Sequence, residues 1–79
     1  MSRGGSRKTA AMSASEASSA EAELSVISDQ IERYRDRVVG IIPALRGGEH
    51  DDTIAAIFEA ERSLRSAHGA LERAGRLLR

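Results

Sequence analysis

The densest group of side chains able to bind a metal or move a proton is Glu49-His50-Asp51-Asp52. A metal needs ligands that converge, and consecutive residues at a helix start diverge, so two or three of these at most could reach one ion. Capping of a following helix accounts for both aspartates without a metal. A second group is His68 with Glu72 one helical turn later and Glu61 two turns earlier on the same side. Di-iron bundles use Glu-x-x-His, which aims both groups at the bundle interior, but three residues before His68 stands Arg65. His68 is therefore expected at the border of a helix seam, paired with Glu72. There is no cysteine, which excludes thiolate ligands and disulfides. The serines lack a nucleophile turn, and Gly4-Gly5 and Gly47-Gly48 lack the surroundings of a phosphate loop. The sequence thus assigns no catalytic, cofactor-binding or metal-binding residue, and a non-enzymatic role is expected.

Basic residues offer the other chemistry. Arg3, Arg7 and Lys8 make a basic N-terminal segment, and Arg62, Arg65, Arg73 and Arg76 lie in the last third of the chain. Both sets could reach phosphates, which makes a nucleic-acid-associated regulator the alternative reading. Twelve bases balance twelve acids, however, and no helix-turn-helix pattern is present. Membrane insertion is not expected, because no apolar run approaches the ~20 residues a spanning helix requires. With no signal-peptide pattern either, a cytoplasmic protein is expected.

The elements that would position these residues are helices. Aromatic residues are 3% of the 79-residue chain, and the apolar content comes mainly from Ala, Leu, Ile and Val. Residues 1–12 mix Gly, Ser and bases without periodicity and are expected to be a disordered arm. Helix 1 is expected over about 13–42/46, opening at the capping box Ser13-x-x-Glu16 or at Ser18-x-x-Glu21. Its apolar seam reads Leu24, Ile27, Ile31, Tyr34, Val38, Ile41 and Leu45, in steps of three and four. Gly40 and Pro43 predict a kink or an early stop. Residues 47–50 form the turn, and helix 2 runs from about 51 to 78, capped by Asp51 or Asp52. Its seam alternates small and large: Ile57, Ala60, Leu64, Ala67, Leu71, Ala74 and Leu78. Gly75 is expected where another backbone comes close.

Charge order sets the pairing. Residues 13–32 hold Glu16, Glu21, Glu23, Asp29 and Glu32 with no base, and 33–46 hold four arginines against Asp36. The second half repeats the order, acids over 49–61 and then arginines over 62–79 with Glu72. Folding back at Gly47-Gly48 lays each acidic half-helix beside a basic one. The expected fold is all-α: an antiparallel two-helix hairpin, self-associating into a four-helix bundle as a homodimer, because two helices alone bury little apolar surface. The expected function is that of an adaptor, regulator or assembly factor, binding itself or another protein through an apolar face near the turn. Val39, Ile42, Ile54 and Phe58 are the residues expected to carry that contact.

Overall fold

A computed structural model describes residues 13–79, all helix and turn. The basic arm, with Arg3, Arg7 and Lys8, lies outside the described residues. Helix α1 spans Ala14–Val39, a single turn α2 spans Ile42–Leu45, and α3 spans Asp51–Leu78. The first and last of these pack along their length as a hairpin, and α2 rests on α3 at the turn end.

Each boundary has a local cause. At the start of α1 the Glu16 amide donates to Ser13 Oγ at 3.0 Å, and the Ser13 amide donates to Glu16 Oε1 at 3.0 Å, so the earlier of the two capping boxes is the one used. Pro43 has no N–H to offer the carbonyl of Val39, and α1 ends there. The path stays helical through Gly40 and Ile41 in a tighter form, with Ile41 donating to Val38 at 3.3 Å and Ala44 to Ile41 at 3.1 Å. Of the kink or early stop expected at 40–43, the helix shows the stop, at Val39, and the inward positions beyond it keep the seven-residue spacing of α1. Gly47 then turns the chain with φ of 87°, a left-handed conformation that suits glycine. At the start of α3 the cap residue is His50, without a side-chain cap bond. Asp51 and Asp52 occupy the first turn instead, where they complement the positive end of the helix without capping it.

Packing differs from the expected seam by one position on each helix. The alternation of three and four is kept, but the residues between the helices include Ser28, Arg35 and Ile42 on one side and Glu61, His68 and Gly75 on the other. Ser28, Ile42, Glu61 and Gly75 are buried, while Tyr34 and Ile41 remain 53% and 49% exposed. Leu24, Ile31, Val38 and Leu45, facing Ile57, Leu64, Leu71 and Leu78, stay half-buried at the centre of the contact. A seam drawn through the most apolar residues selects Ile27, Tyr34 and Ile41. The folded chain chooses the polar neighbours because Arg35 and Glu61 neutralise each other, and Ser28 and Gly75 occupy little space. Gly75 also departs from expectation: a methyl group built there would stand 4.0 Å from Glu21 Cγ, ordinary contact with a side chain and not with another backbone.

Candidate interaction surface

The rotation of the seam gives the hairpin two unlike faces. On one, a ladder of charges crosses between the helices. Arg35 donates to Glu61 Oε2 through Nη2 at 2.8 Å and Nε at 3.2 Å, and Arg65 donates to both Glu61 oxygens at 2.9 Å. Arg35 Nη1 donates to Glu32 at 3.0 Å. His68 Nε2 lies 3.6 Å from Glu32 and 3.7 Å from Glu72, beyond hydrogen-bond length. At the open end Arg79 donates to Glu21. These contacts join basic to acidic half-helices as the charge order requires, and they place His68 near Glu72 as expected.

The pairing of Glu61 with Arg35 is what the sequence reading missed, although it placed Glu61 on the side of His68. Glu61 is 8% exposed, and the hydrogen bonds from Arg35 and then Arg65 hold its carboxyl below the ordinary glutamate range against the opposing effect of burial. The same contact raises the Arg35 guanidinium further. A buried ion pair adds little net stability after desolvation, but leaving one partner uncompensated is costly. Sliding either helix by a turn would strand Glu61, so the pair selects one register. The available signal was the match of a lone glutamate, within a small-to-large apolar repeat, to an arginine at the mirrored level of helix 1.

The opposite face is apolar. Tyr34, Val38, Ile41 and Leu64 line a groove there, with Arg37 lying over the Tyr34 ring at 5.7 Å. Helical register continues this face through Ile27 on α1 and through Ala60, Ala67 and Ala74 on α3. The contrasting groove on the charged face is lined by Ser25, Ser28, Asp29 and Glu72, and Ser28 Oγ is buried there without a hydrogen-bond partner.

The four residues expected to meet a partner are distributed differently. Ile42 is 3% exposed and is the one buried apolar side chain among the described residues, so it belongs to the hairpin's own core and not to a free surface. It continues the seven-residue spacing of Ser28 and Arg35 along the inner side of the hairpin. Val39 and Ile54 are half-buried. Phe58 keeps 41% of its surface exposed. Its heptad position puts it with Val39 on the charged face, away from Tyr34 and Ile41.

Of the candidate phosphate contacts, Arg62 is exposed, and Arg65 is engaged by Glu61. Glu49, His50, Asp51 and Asp52 line a shallow exposed depression at the turn. Among the described residues no three His, Asp or Glu side chains converge as a metal-binding group, and no helix is long and apolar enough to cross a membrane. No protein-family model, curated protein or solved structure matches the chain.

Proposed function

We propose that the chain is a non-catalytic protein-interaction module whose working surface is the apolar face of the hairpin. One observation carries this reading. Among the described residues the helices bury a single apolar side chain, Ile42, and leave Tyr34 and Ile41 half in solvent beside a groove formed with Val38 and Leu64. Covering such a continuous strip with protein would release roughly 25 cal/mol per Å² of apolar surface removed from water. Two helices lacking that cover have little reason to fold tightly. The charged ladder on the other face supports the same reading, since its arginines and Glu61 pair with one another within the hairpin and fix which side is left open.

The test is thermal unfolding by circular dichroism across a wide dilution series, for the natural chain and for Ile27→Asp with Ile41→Asp. A face that requires cover gives a natural chain that is either poorly cooperative alone or loses melting temperature on dilution, and a double variant that is less stable at every concentration where the natural chain is folded. A sharp, concentration-independent transition of a monomer, unchanged in the variant, would overturn the proposal.

A further inference from the structure

We infer that the apolar face is covered by a second copy of this chain, packed across a two-fold axis perpendicular to the helices, so that α1 lies antiparallel on its copy and α3 on its copy. This rests on the interaction role proposed above and names the occupant and its orientation. The argument is that the face is self-complementary in charge, in size and in level.

On α1, the position flanking the apolar strip is held in turn by Glu23, Gln30 and Arg37. Reversing the helix about Gln30 brings Glu23 against Arg37 of the second copy, and Gln30 against its equivalent. The same reversal brings Ile27 to within one residue, about 1.5 Å along the axis, of Tyr34 of the second copy, apolar near apolar. On α3, the strip of Ala60, Ala67 and Ala74 reverses onto itself about Ala67, and small side chains let two helices approach to about 8 Å between axes. At its outer edge the reversal brings Glu59 to within two residues, about 3 Å along the axis, of the level of Arg73 of the second copy.

These two centres were read from separate helices, yet one axis serves both. The Arg35–Glu61 and Glu32–His68 contacts fix the relative height of α1 and α3, and together they put Gln30 level with residues 66–70 of α3. Ala67 falls in that interval. Within one chain Glu23 and Arg37 are fourteen residues apart on one helix, on the order of 20 Å, and cannot pair. A membrane surface would favour a uniformly basic rim, and this rim carries both signs. Residues 1–12, whose apolar residues are Met1, Ala10, Ala11 and Met12, have too little apolar surface to serve as the cover.

The chain has no cysteine, so one introduced thiol reports one position. Light scattering is expected to give a dimer. Mild oxidation should convert most of Ala67→Cys to a covalent dimer, because thiols beside a two-fold come within the ~7 Å between Cα atoms that a disulfide spans, whereas Ala55→Cys, on the outer side of α3, should stay uncrosslinked. Glu23→Arg alone should weaken dimerisation about five- to tenfold, since two exposed pairs per dimer become repulsive. Adding Arg37→Glu should restore it to within about twofold. Helical content measured alongside separates lost association from lost folding.

A chain that stays monomeric at all concentrations overturns the second-copy inference. If that monomer is poorly cooperative in the melting test, the interaction role stands and a different protein is the occupant. A dimer in which Ala67→Cys does not crosslink, or in which the double charge reversal fails to recover affinity, overturns the two-fold arrangement and points to α1 packing on α3 of the copy.

Discussion

Glu61 shows how much one polar residue in a helix seam can decide. Its carboxylate accepts from arginines on both helices, and its folded-state pKa is held below that of an unstructured glutamate. For a group depressed in this way, the stabilising contribution is complete above the ordinary glutamate value of about 4.3 and is lost as pH falls through the lower folded value. Acidification should therefore loosen the hairpin in that interval. Glu61→Gln is expected to lower the melting temperature at neutral pH and to flatten its fall between about pH 4.3 and the depressed folded value. Melting curves of both chains from neutral to strongly acidic buffer check this, and equal acid sensitivity would remove Glu61 from the account. Sequence reading placed Glu61 on the correct side of helix 2, with His68, but paired the latter only with Glu72. Which arginine crosses from helix 1 depends on the relative height of two helices, and no spacing within one helix contains it.

At the scale of the element, the helix ends were more legible than the helix faces. Ser13 with Glu16, Gly40 with Pro43, and Gly47 act through bonds and dihedrals within a few residues of themselves, so their effects follow from local order. Asp51 and Asp52, expected as alternative caps, lie one and two positions inside the helix, because the cap falls at His50. Gly75 tests what the faces demand. A methyl group fits against the flexible Glu21 side chain, and Ala is favoured over Gly in a helix interior by roughly 1 kcal/mol. Gly75→Ala is thus expected to stabilise the chain by about that amount in denaturant unfolding. A loss of stability would mean that α3 lies closer to α1 at this level than the 4.0 Å contact indicates.

For the whole molecule, the small enclosed core makes stability sensitive to few positions. Ile42→Ala removes the one buried apolar side chain among the described residues and should cost about 2–5 kcal/mol. That is a large share of what a domain this small possesses, so a markedly lower unfolding midpoint is expected, and an unchanged one would contradict the packing at the turn. The sequence by itself determined two long helices, the break between Gly40 and Pro43, the turn at Gly47 and the antiparallel sense, because capping, proline chemistry and the order of charge blocks are written along the chain. Tertiary structure decided which edge of each apolar stripe turns inward. Two broad stripes can pair with either flank inside, and the choice rests on Arg35 meeting Glu61 and on Ser28 and Gly75 making room, which are relations between helices. It thereby decided that Ile42 is core and that Ile27, Tyr34 and Ile41 form the open face, where apolar character alone had suggested the reverse.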